Sequence, residues 1–178
     1  MEQQRGPVGQ RQPSNLEQTQ PPGPEQAQPA GSGAEQRPGH GLSPGLTARV
    51  ELTVTDSDTA QAVGSGDVPV LGTPRVLALA EAATVAATAA RLPAGTTTVG
   101  VRIELEHRAA TPIGRTVAAL VRLAKVDGRR LLFEVTVAEV AGSAAQQAAA
   151  GPVTVAEGRV ERVLVDRQKF VERALRTP

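Results

Sequence analysis

The chain has 178 residues, 40% of them hydrophobic, and a formal net charge of +1. It contains no cysteine, which excludes disulfides and thiolate metal sites, and its two histidines are too few for a His-rich metal cluster. Interspersed charges and almost no aromatic residues (two Phe, neither Tyr nor Trp) argue against a nucleic-acid footprint, a base-stacking surface or a sugar platform.

Residues 1–45 are dominated by Gln, Pro and Gly, with Met1, Val8, Leu16, Leu42 and a few Ala as the apolar side chains. Such a stretch cannot offset the entropy of ordering its backbone, so it reads as a disordered tail. His40 lies between two glycines in that tail, with nothing nearby to hold a metal or orient a proton. No basic-then-apolar leader opens the chain, and we expect a soluble, cytoplasmic protein with no membrane segment. The folded domain is expected over residues 46–178. It opens with LTARVELTVT, 46–55, whose alternation of apolar and polar residues predicts a half-buried strand. Residues 55–72 form a polar, Gly-containing link, either a lid over a pocket or a plain surface connection.

Gly72 to Leu92 reads as one helix that is apolar nearly all round, which predicts burial on most sides. Its Ala content, with Arg75, Glu81, Thr84 and Thr88, fits a core helix rather than a membrane span. Thr73 is the expected N-cap and Pro74 the first helical residue, where a missing N–H is harmless. Glu81 is the anomaly. It is the only ionisable side chain between Arg75 and Arg91, and a carboxylate among Ala and Leu is costly to bury unless it is paired. After an LPAG turn come four strand-like runs, 97–108, 115–126, 129–140 and 152–165, with Asp127-Gly128 as a hairpin signal. GSAAQQAAAG, 142–151, reads as a long hairpin tip. Asp166 should cap a short amphipathic helix, RQKFVERAL, that docks through Phe170, Val171 and Leu175. The expected class is α+β: an antiparallel sheet wrapped around one long central helix, with a short C-terminal helix. Open sheet edges need covering, which points to a homodimer paired edge to edge.

His107 ends the strand VGVRIELEH and is the only histidine of the folded region. Strand alternation puts it with Val101, Ile103 and Leu105 on the apolar face, toward the helix and Glu81. Two readings stand side by side: a structural Glu81–His107 hydrogen bond in the core, or a general acid/base unit in which the carboxylate orients the ring or acts as base itself. Thr73 lies eight residues, two helical turns, before Glu81. It is either a simple cap or a third member of the same pocket. Gly100 is a position where a backbone can approach a ligand, and the helix start offers N–H groups to a developing oxyanion.

Four segments in order carry a resemblance: VLGTPRVLALAEAA, TTTVGVRIELEHRAATPIG, KVDGRRLLFEV and AEGRVERVLVDRQKF. Together, over about residues 46–175, the chain resembles the fluoroacetyl-CoA thioesterase family. The resemblance implies a hotdog fold and hydrolysis of acyl-CoA substrates by a homodimer, without a cofactor or metal. It carries the family's catalytic Thr, Glu and His onto Thr73, Glu81 and His107, with both intervals kept. Its substrate-contacting Gly falls on Gly100 and its last-strand Arg on Arg162, which would hold the substrate or a CoA phosphate. The departures are specific. The fluoroacetate-specific member gates its pocket with phenylalanines in the loop before the central helix, whereas this loop reads AVGSGDVPV. The last strand has GRVER where relatives tend to have GTHER. Fluoroacetyl selectivity is therefore not expected, and a broader or different acyl group is. The rival functions are a non-catalytic acyl-CoA-binding module, a hydratase or dehydratase on the same fold, and a structural dimer whose tail recruits a partner.

Overall fold

The structure, a computed structural model, describes residues 41–140 and 153–176. The expectations for His40, for the tail up to residue 40 and for the 142–151 tip fall outside the described residues. Five strands form one antiparallel sheet: β1 (Thr47–Thr53), β2 (Thr96–His107), β3 (Thr116–Asp127), β4 (Arg130–Glu139) and β5 (Thr154–Asp166). Their order across the sheet is β1-β3-β4-β5-β2. The long helix α1 (Thr73–Ala89) touches all five strands, the contact that a curved sheet around one helix produces. This is the expected α+β arrangement.

The strand register follows from side-chain pattern and turn chemistry. In β3 and β4 the inward residues Val117, Ala119, Val121, Leu123, Leu131, Phe133, Val135 and Val137 are all buried, while Leu120, Arg122, Glu134 and Thr136 on the other face are exposed. The β3–β4 hairpin closes on the pair Asp127 and Arg130, with Gly128 at φ +56° in the left-handed region that glycine enters without strain. Outward charges meet across strands: Arg122 pairs with Glu134, Arg130 with Glu161, and Arg108 with Glu157.

Three expectations are corrected. The first concerns α1, which is not covered on most sides. Val76, Leu79, Ala80, Ala83, Thr84, Ala87 and Thr88 face the sheet, whereas Ala78, Ala82, Val85, Ala86 and Ala89 are exposed. One curved sheet covers one side of a helix, and an apolar composition all round does not reveal which side is left over. Second, Leu42, within the stretch read as tail, is buried against the core, and Gly45 N–H donates to Leu123 O at 2.8 Å. The third concerns the terminal helix α2 (Arg167–Arg176). Asp166 caps it, accepting from Lys169 N–H at 2.9 Å, but Phe170, Val171 and Leu175 remain exposed, Leu175 at 81%. Amphipathic spacing reports that a helix has an apolar face, not that the same chain buries it.

Candidate active site

Residues 55–72 are tied by backbone hydrogen bonds to the elements on either side. A 3-10 turn at Asp56–Asp58 opens the segment. Thr59 and Leu71 then pair as an antiparallel bridge, and Ala60 N–H donates to Val70 O at 2.8 Å. The far side is tied to the segment after β2: Val70 bridges Pro112, and Leu71 N–H donates to Thr111 O at 2.9 Å. The segment is thereby fixed to both the start of α1 and the end of β2.

Those two ends hold Thr73 and His107. The N-cap of α1 is Gly72, not Thr73, and it has no side-chain cap bond. Thr73 is the first helical residue and Pro74 the second, so the Thr73 hydroxyl is not spent on capping. Instead Thr73 Oγ1 lies 2.9 Å from His107 Nδ1. The other ring nitrogen, Nε2, lies 3.1 Å from Ala109 O. A carbonyl oxygen only accepts, so Nε2 carries the proton. In the neutral ring Nδ1 is then the acceptor, and the Thr73 hydroxyl donates to it. This is the orientation in which an imidazole can take a proton from a hydroxyl nucleophile.

Glu81 does not pair with His107. Its Oε1 accepts from Arg162 Nη1 at 2.9 Å. Arg162 is itself buried, 5% exposed, and its remaining donors go to one residue: Nε to Thr98 Oγ1 and Nη2 to Thr98 O, both at 2.9 Å. Each nitrogen of the guanidinium makes one bond inside the fold, and the one from Nη1 holds Glu81. Gly100 sits directly against this group. A Cβ there would overlap Glu81 Oε1 and lie 3.6 Å from Arg162 Nη1. Only glycine lets the carboxylate lie against the strand.

A β-bulge explains how these residues share one side of β2. The pairing with β5 runs Gly100 to Arg162 and then Arg102 to Glu161, which leaves Val101 as the extra residue. Simple alternation would put Thr98 and Gly100 on the face opposite Ile103, Leu105 and His107. The bulge shifts the count by one, so both sets face α1. Val101, placed by alternation on the apolar face, is 52% exposed instead. Glycine inside a strand is the one signal in the sequence that marks such a site, and Thr98, which fixes Arg162, carries none.

The five residues therefore form two groups in one chain. Thr73 with His107 lies at the helix start, and Glu81 with Arg162 and Gly100 lies two turns further along, about 12 Å at helical rise. A cavity of about 320 Å³ opens over the first group, lined by Thr73 and His107 and walled by Ala60, Val68, Val70 and Ala110. A larger furrow of about 890 Å³ is lined by Glu104, Glu106, Glu134, Glu157 and Arg159 among others and shares no residue with it.

Comparison with known proteins identifies the fold and the family. The sequence profile of FlK, the fluoroacetyl-CoA-specific thioesterase, matches residues 54–168. No curated protein matches the chain. Among solved structures, the fluoroacetyl-CoA thioesterase FlK superposes with a TM-score of 0.65 at 28% identity, over 78% of this chain and 99% of that one. A thioesterase-superfamily member from Thermus thermophilus gives 0.63 at 26% identity, over 75% and 90%. A hot-dog-like protein from Thermanaerovibrio acidaminovorans gives 0.62 at 26%, over 74% and 90%. On this profile match and this hotdog architecture, the chain belongs to the fluoroacetyl-CoA-specific thioesterase family.

Proposed function

We propose that the protein hydrolyses acyl-CoA thioesters with Thr73, His107 and Glu81 as catalytic residues. The observation that carries this reading is the Thr73–His107 bond, with the hydroxyl donating to Nδ1 at the floor of an open cavity. His107 removes a proton from the Thr73 hydroxyl as it attacks the thioester carbonyl. The tetrahedral oxyanion draws on the positive end of α1, and the thiol of CoA leaves with a proton returned by His107. Water then repeats the sequence on the acyl-enzyme. Glu81, held by Arg162 against Gly100, supplies the fixed negative charge that stabilises the imidazolium.

A charge about 12 Å along the helix is too distant to serve His107 within the same copy. The reading therefore includes a homodimer. β2 is an edge strand of the sheet. Antiparallel pairing of two β2 strands runs the His107 end of one copy back along the Gly100 region of the other, so that Glu81 and Arg162 of one copy face Thr73 and His107 of its neighbour.

The cavity also bears on the acyl group. A fluoroacetyl group has four heavy atoms, and no aromatic residue is among those that line the cavity around Thr73 and His107. The walls near the entrance are Ala60, Gly66, Val68 and Val70, with no aromatic side chain to shrink them. We therefore read the substrate as an apolar acyl group larger than fluoroacetyl. Free-thiol release from fluoroacetyl-, acetyl-, butyryl-, hexanoyl- and phenylacetyl-CoA tests this. The highest kcat/KM is expected on the larger esters, and Val68→Phe should shift the preference toward acetyl. An optimum at fluoroacetyl-CoA would refute the size reading, and release from none of the esters would refute the enzyme.

A further inference from the structure

We propose that Asp58 is a positioning residue for the Thr73–His107 pair, acting through the first turn of α1. This inference rests on the catalytic reading of that pair. Asp58 is 4% exposed and no step of the chemistry above uses it. Its carboxylate is fully engaged: Oδ1 accepts from Arg75 Nε at 2.6 Å, and Oδ2 accepts from Thr55 N–H at 2.8 Å and Thr55 Oγ1 at 2.6 Å. Its backbone oxygen accepts from Gly72 N–H at 2.9 Å. One residue thus grips the chain on both sides of Thr73, at Gly72 just before it and at Arg75 two positions after.

The geometry gives that grip a specific consequence. Gly72 is the N-cap and carries no side chain, so α1 lacks the usual cap that would fix its first turn. The backbone oxygen and carboxylate of Asp58 hold that turn from outside the helix, through Gly72 N–H and the Arg75 side chain. The opposite wall of the same segment is bonded to Thr111 and bridged to Pro112, a few residues past His107. The separation of Thr73 Oγ1 from His107 Nδ1 is therefore set by a closed frame, from Asp58 through α1 on one side and through Leu71 to the end of β2 on the other. Space around Gly72 reinforces it, because a Cβ there would come within 2.9 Å of Val63 and 3.1 Å of Ala60. Removing the Asp58 charge weakens its hold on Arg75 and lets the first turn drift. A drift of an ångström at the nucleophile lowers turnover by up to about a hundredfold.

The test is Asp58→Asn, which keeps the shape and removes the charge. Thiol release on the best acyl-CoA ester should show kcat lowered roughly ten- to a hundredfold with KM within about twofold. Measured again in a Thr73→Ala background, the same substitution should have no further effect on the residual rate. An unchanged kcat, or an equal loss in both backgrounds, overturns the proposal, because the effect would not pass through Thr73. Nitrogen NMR of His107, in a His40→Gln protein so that one imidazole is observed, gives a readout that needs no turnover. The Nδ1 resonance should shift toward that of an unbonded imidazole in Asp58→Asn, and an unmoved resonance overturns the proposal. If the unsubstituted protein releases no thiol from any ester, the catalytic reading fails while the NMR arm still decides the positioning. Should Asp58→Asn not fold, Arg75→Met removes the same ion pair from its more exposed end and carries the same expectations.

Discussion

Gly100→Ala separates activity from stability more cleanly than any other single change in this site. The backbone there is not in the left-handed region, so alanine is conformationally acceptable. Replacing a strand glycine also restricts the unfolded chain, which stabilises by about 0.4–1 kcal/mol. Against this, the new Cβ overlaps Glu81 Oε1 and sits 3.4 Å from Glu81 Cδ. The carboxylate end is flexible and gives way, by on the order of an ångström before an ordinary contact is restored. That movement weakens the bond from Arg162 Nη1. A charged hydrogen bond contributes about 1.5–3 kcal/mol, and the lower end applies here because the Glu81 side chain is 34% exposed. The two stability terms nearly cancel, leaving a net loss within about 1 kcal/mol and a Tm shift of a few degrees. Catalysis has no such compensation. A misplaced charge of this size lowers kcat/KM by about a hundredfold, or about 2.7 kcal/mol of transition-state stabilisation. The assay is thiol release beside thermal unfolding on the same preparation. A variant with unchanged kcat/KM would show that the position of Glu81 against Arg162 is not used in the reaction.

Other outcomes follow from the same contacts. Thr98→Val removes the acceptor of Arg162 Nε inside the fold, and thermal or urea unfolding should register a loss of about 1–3 kcal/mol. Asp58 gives an acid signature. Burial pushes its carboxyl up, but the Thr55 hydroxyl and amide with Arg75 outweigh that and hold it below its ordinary value of 3.8. As pH falls the unfolded chain binds the proton first, so the stabilisation is complete above about pH 5 and is lost below 3.8 toward the folded value. Urea midpoints of the natural chain and Asp58→Asn should therefore differ at pH 7 and draw together as the pH falls below 3.8. Mixing His107→Ala with Glu81→Gln tests the shared site: random exchange of subunits makes half the dimers mixed, each with one intact site, and should restore about a quarter of the activity. Leu175→Ser, at an 81% exposed position, should change thermal stability by less than about 0.5 kcal/mol.

The strands, the helix and the Asp127-Gly128 hairpin were legible because each rests on local chemistry: alternation, Ala and Leu content, and a glycine that can take positive φ. Thr73, Glu81, Gly100, His107 and Arg162 were legible as residues through the family resemblance, but their pairing was not. Alternation along β2 put His107 on the face toward α1, where it lies, but did not say at which turn of α1 it falls, and the bulge at Val101 brings Gly100 to that same face beside Glu81. A bulge of this kind depends on the partner strand and leaves only the glycine beside it as a trace. The Asp58 grip was hidden for a related reason. It joins Thr55, Gly72 and Arg75 across a segment whose composition reads as a surface connection, and only the folded backbone brings them together. Burial was the third blind spot. The exposed face of α1 and the exposed Phe170, Val171 and Leu175 are apolar by sequence, and what covers an apolar face is decided by the assembly, not by its spacing.

The most direct test of the account is thiol release from the best acyl-CoA ester by the natural chain, His107→Ala and Glu81→Gln, each checked for retained fold by circular dichroism. Turnover by the natural chain that falls at least about a hundredfold in both variants is the predicted result. Turnover that survives in either folded variant would contradict the assignment of that residue, and an inactive natural chain that still binds CoA esters would make the protein a binding module.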